Sequence, residues 1–154
     1  MPHLATYVAL AHESERTLAD ALRTVGHGHA GHPDVRVTCE ALARLSDAHV
    51  EAMAPIAQRY GGDSDADEPE RLHADGVVQV RTGGIGLLRD LQDLHLLATL
   101  VQTTWTVLVQ GALGLRDAEL LVVARHSARE TGRQVAWLTT ELKVVAPQTL
   151  AVER

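Results

Sequence analysis

Between residues 84 and 145 the chain carries two long runs of apolar residues at three- and four-residue spacing. Only the turn-forming stretch 111–117, with Gly111, Gly114 and Asp117, separates them. That spacing is the mark of an amphipathic helix, and so short a link can only join antiparallel neighbours. The two helices are expected over residues 84–111 and 117–145. Each needs something to cover its apolar stripe, and the rest of the chain supplies it.

Two more helical runs precede this hairpin. The first, over residues 2–25, repeats Leu4, Val8, Ala11, Leu18, Leu22 and Val25, opens on Pro2 and stops in the glycine-rich stretch 26–32. The second, over residues 33–60, repeats Leu42, Leu45, Ala52 and Ile56, opens on Pro33-Asp34 and stops at Gly61-Gly62. Pro55 inside it predicts a kink or irregularity. In the fourth run, Asp117 is the expected N-cap and Pro147 the stop, with the tail from Gln148 only partly ordered. The expectation is an all-α four-helix bundle in one domain spanning residues 1–154.

The link over residues 61–83 is different. It is acidic and turn-rich, and at ~23 residues it reaches ~75 Å when extended. A helix of ~27 residues is only ~40 Å long. The link can therefore cross the whole bundle and start the third helix parallel to the second. A simple up-down-up-down order is the fallback.

Composition narrows the function classes. The chain has no Phe and 3% aromatic residues, so Leu, Val and Ala must fill the core. A net charge of −6 without any basic stripe argues against nucleic acid. With Cys39 the sole cysteine, no internal disulfide can form, and Cys39 reads as a small buried hydrophobe. The N-terminus lacks a cationic segment followed by an apolar run, so no signal peptide is expected. The most apolar window, 94–109, is interrupted by Gln102 and several Thr, which argues against a membrane span. A cytoplasmic protein is expected. The third run is apolar around much of its circumference, and the extra face suits a homodimer.

Chemistry enters through polar residues on stripes that should be oily. A buried carboxylate or imidazole is costly unless paired, hydrogen-bonded or bound to a metal. The first run offers His12 and Glu15, the second His49, the third His95 and Gln102, the fourth His126 and Glu130. With the second and third helices parallel, His12, Glu15, His49, Gln102, His126 and Glu130 fall within about three turns of one height. Imidazoles and carboxylates on facing helices are how bundles hold iron, manganese or zinc. His12, Glu15, His49, His126 and Glu130 are thus the candidate ligands, with His95 as a possible addition. His27, His29 and His32 in the glycine-rich loop make a weaker surface patch for a metal. Trp105 and Trp137 read as packing anchors. Gly83-Gly84-Ile85-Gly86 has no preceding strand and no following Lys-Ser/Thr, so it is no phosphate loop.

Two helical hairpins joined by a long connection resemble the ferritin-like superfamily. The resemblance is architectural and covers residues 3–146. It implies a ferritin-like bundle, and a metal-binding, redox-active site in mid-core. The Glu-x-x-His motif of the metal-bearing members is absent, and His126-x-x-x-Glu130, the hemerythrin-like spacing, occurs once. Two other functions suit the same residues. One is a metal-free, dimeric interaction bundle whose polar groups satisfy one another. The other is a bundle holding haem non-covalently through His49 or Met53 and another His.

Overall fold

The computed structural model describes residues 2–61, 76–77 and 79–152. Four helices carry nearly all of them: α1 (Pro2–Gly28), α2 (Pro33–Arg59), α3 (Gly83–Leu115) and α4 (Ala118–Pro147). A π-helical turn, Gln148–Val152, follows α4, and the described residues contain no strand. The fold is an all-α four-helix bundle.

The helix ends refine the sequence expectation. α1 runs on through Gly26 to Gly28, past the expected stop. Glycine is required there for closeness: a Cβ on Gly26 would lie 2.9 Å from Cys39 Cβ, and one on Gly28 2.5 Å from Val80. α3 likewise continues through Gly111 and Gly114 and stops only at Arg116, which takes the left-handed conformation at φ 57°. Asp117 is the N-cap of α4, its carboxylate accepting from the Leu120 N–H at 3.1 Å. The same carboxylate receives Tyr60 and Arg59, tying the end of α2 to the start of α4. Pro55 does not end α2; it sits on the exposed side, where water can take the carbonyl that loses its partner.

Helix directions follow from which ends meet. α1 and α2 join through four residues and lie antiparallel, clamped by Arg23 on Glu40 and Asp47. The last turn of α1 meets the start of α3, where His29 Nε2 lies 2.7 Å from Asp90 Oδ2. The first turn of α1 meets the end of α3, Leu4 packing on Gly111. α3 is therefore antiparallel to α1 and parallel to α2, and the fallback order is excluded. The chain leaves α2 at one end of the bundle and enters α3 at the other. Around the bundle the order is α1, α2, α4, α3, with α1–α4 and α2–α3 on the diagonals. These directions are the ones the long link between α2 and α3 allows.

Stripes of Leu, Val and Ala fill the interior, with Leu18, Leu22, Met53, Leu91, Trp105 and Leu138 among its largest members. Truncating one such Leu to Ala costs about 2–5 kcal/mol. By length and composition alone α3 could cross a membrane, contrary to the sequence expectation, yet one side of it builds this core.

One staple was not foreseen. Asp90, fully buried on α3, accepts at Oδ2 from His29 and from the Arg81 backbone N–H, and at Oδ1 from the Arg81 guanidinium at 2.7 Å. It fixes the point where the chain enters α3.

Candidate metal centre

At mid-height four helices each send one polar side chain inward. On α1, Glu15 stands between Ala11 and Leu18 in the apolar stripe and is fully buried. On α2, His49 takes the stripe position between Leu42 and Met53 and is 1% exposed. On α3, Trp105 sits between Val101 and Leu108 and is fully buried. On α4, Glu130 lies at the edge facing α2, one turn after the exposed His126.

The four link into one line. Trp105 Nε1–H donates to Glu15 Oε1 at 2.7 Å. The same oxygen lies 2.7 Å from His49 Nδ1. His49 Nε2 lies 2.9 Å from Glu130 Oε1, and His126 Nε2 reaches that oxygen at 2.9 Å. The line thus runs from the centre of the core to the surface. The second Glu15 oxygen, Oε2, is buried with no hydrogen-bond partner. One turn along, Gln134 bonds the Leu42 carbonyl and Ser46 on α2, extending the polar layer.

Charge logic constrains what fills this line. An indole N–H only donates, so Glu15 Oε1 accepts from Trp105 and from His49 Nδ1–H. A neutral His49 with its proton on Nδ1 turns a bare lone pair at Nε2 toward the Glu130 carboxylate. Two lone pairs at 2.9 Å repel, so the gap calls for a proton or a cation. Without metal the proton fills it. Burial alone would pull the His49 imidazole down, but the bonds to Glu15 and Glu130 outweigh it and hold it above its usual value. Burial pushes the Glu130 carboxyl up, and His49 and His126 more than reverse this, leaving it below its usual value.

A cation is the other filling. One nitrogen each of His49 and His126 and one oxygen of Glu130 lie within 4.8 Å of one another. Ligand atoms ~2.1 Å from a shared ion are about 3–3.4 Å apart, so His126, 57% exposed, must swing slightly to close the set. Glu15 then stands behind the centre as the carboxylate that orients a ligating imidazole.

The remaining candidates lie elsewhere. His12 is half-buried and lies on its own helix beside Arg16 and Glu13, its imidazole lowered by burial and then by Arg16. His95 Nε2 meets Thr139 Oγ1 at 3.1 Å. Gln102 reaches mid-height but lies against Gly132 of α4. Of the loop histidines, His29 turns inward to Asp90, while His27 and His32 stay exposed. Met53 is buried, and His49 offers haem no nitrogen that a carboxylate does not already hold. Burial pushes the Cys39 thiol up to about 12, which makes it unreactive. The role of Trp105 went unread in the sequence. The available signal was that a buried indole needs an acceptor, and Glu15 was the unpaired one.

No protein-family model, no curated protein and no solved structure matches this chain.

Proposed function

We propose that this bundle is a ferritin-like protein binding a single divalent first-row metal ion through His49 Nε2, Glu130 and His126 Nε2. Two imidazoles and one carboxylate suit iron, manganese or zinc over calcium or magnesium. The set supplies three ligands and so leaves positions for water or a small ligand. When bound, the ion would supply Lewis acidity and, as iron or manganese, one-electron chemistry. Glu15 would hold the His49 tautomer, Trp105 would hold Glu15, and His126 would close the site from the solvent side.

The observation that carries this reading is the His49 ring between two carboxylates. Its Nδ1 is committed inward to Glu15 and its Nε2 faces Glu130 and His126. His126 pairs with Glu130 at i, i+4 in metal-free protein, and as a third ligand atom it completes a metal-binding set at the solvent edge.

The test is elemental analysis of untagged protein, followed by titration of the chelated protein with Fe(II), Mn(II) and Zn(II). One ion per chain, lost in His49→Ala and Glu130→Gln, supports the proposal. Metal-free protein that takes up none of the three, with melting unchanged by chelation, would falsify it. The metal-free bundle would then be the better account.

A further inference from the structure

The charges of α4 are sorted by side. Its carboxylates stand at Glu119, Glu130 and Glu141, about three helical turns apart. All three face α2: Glu119 lies 3.8 Å from Arg59, Glu130 2.9 Å from His49, and the field of Glu141 reaches Cys39. Its arginines, Arg125, Arg129 and Arg133, follow at four-residue spacing on the outward side. All are exposed, and none has an ionic partner among the described residues. The ladder is ~12 Å long.

Beside it runs the outer side of α3, which has no Asp, Glu, Lys or Arg between residues 94 and 115. Leu113, one turn after Val109 and on the same side, is exposed there. A groove of about 300 Å³ separates the two helices, with Val109 and Ala128 on its apolar floor and Arg125 and Arg129 on its rim. Cations in register beside an apolar slot form a pattern with a defined complement.

We propose that the α3–α4 face docks an acidic amphipathic helix of a partner protein. Its aliphatic side chains would enter the groove over Val109 and Ala128. Its carboxylates, spaced at i, i+4 and i+8, would meet Arg125, Arg129 and Arg133. The single row of cations next to Val109, Ala128 and Leu113 fits a half-apolar helix better than a phosphate backbone, which wants cations on both sides and no oily surface. A second copy is a poorer match, because none of the helices α1 to α4 carries three carboxylates at i, i+4 and i+8.

The test uses the full chain and a fluorescein-labelled synthetic helix of about 18 residues, with Glu at every fourth position and Leu on the adjoining stripe. Anisotropy should report saturable binding that weakens about tenfold or more in Arg125→Gln/Arg129→Gln/Arg133→Gln. The corresponding triple Lys variant should stay within about threefold, since each contact is a point charge. A Glu→Gln peptide should lose as much as the triple Gln protein, and Leu113→Asp should weaken binding by itself. Circular dichroism melts of these exposed-site variants check that the bundle is intact; the peptide substitution tests the same contact without touching the protein. Absent binding, or binding indifferent to the Gln variants, overturns the proposal. So does tighter binding to phosphatidylglycerol vesicles or to duplex DNA, or a sedimenting dimer that the triple Gln variant dissociates.

Discussion

Two buried imidazoles in this bundle meet a buried carboxylate at 2.7 Å, and they differ in what lies on the far side. His29 meets Asp90 at the end of the bundle; His49 meets Glu15 at its middle. Around Asp90 both oxygens are used, since Arg81 supplies a guanidinium and a backbone N–H. The pair is closed, and its use is to pin α1 to the entry of α3. Around Glu15 one oxygen is left without a partner, and the His49 ring passes on to Glu130 and His126 at the surface. That pair is open. A polar group that is fully satisfied specifies structure; one that leads to the solvent with capacity to spare is placed for binding.

The sharpest way to break this contrast is to remove each carboxylate. Asp90→Ala strands a buried imidazole, so unfolding in urea should show a loss of about 3–5 kcal/mol, with metal stoichiometry unchanged in the fraction that folds. Equal loss of metal would mean that the closed pair is not separate from the centre. Glu15→Gln should do the converse. The amide oxygen still accepts from Trp105, and the imidazole loses its anionic partner, so metal affinity should fall ~10–100-fold. An unchanged dissociation constant would remove Glu15 from the orienting role.

A smaller effect is expected from pH. In metal-free protein His49 is raised, so its contribution to stability is complete below the ordinary value of 6.5 and is lost as pH rises through the raised one. Glu130 is lowered, so its contribution is present above 4.5 and is lost as pH falls through the lowered value. Thermal melts of chelated protein should peak between these limits, and His49→Gln should flatten the alkaline side. A decline that persists in His49→Gln would assign it to another group. The smallest effect belongs to His126→Ala. This side chain is mostly exposed, so stability should move by less than about 0.5 kcal/mol while metal binding weakens. A large stability loss would make His126 structural and leave the open pair without its outer end.

Much of the centre was legible because its members break a pattern. Glu15 and His49 stand on stripes that are otherwise aliphatic, and His126 and Glu130 keep helical register. Trp105 was not legible. In a leucine-rich helix an indole satisfies the apolar pattern, and its N–H reveals nothing until an acceptor lies opposite. His29 misled for the opposite reason. A histidine in a glycine-rich loop reads as exposed, and only the fold brings it to Asp90, 61 residues away. Helix ends shifted for a related cause. Gly26, Gly28 and Gly111 read as stops, yet they allow close approach of Cys39, Val80 and Leu4 inside continuous helices.

By itself the sequence determined that there would be four helices, roughly where each runs, and which faces would be oily, because these follow from periodicity along the chain. It also marked Glu15 and His49 as groups that would need partners, because each interrupts an apolar stripe. Whether α3 runs with α2 or against it, and which imidazole meets which carboxylate, only the tertiary structure decided. Both depend on ends and side chains meeting across tens of residues, and helical periodicity is indifferent to which neighbour a stripe is packed against.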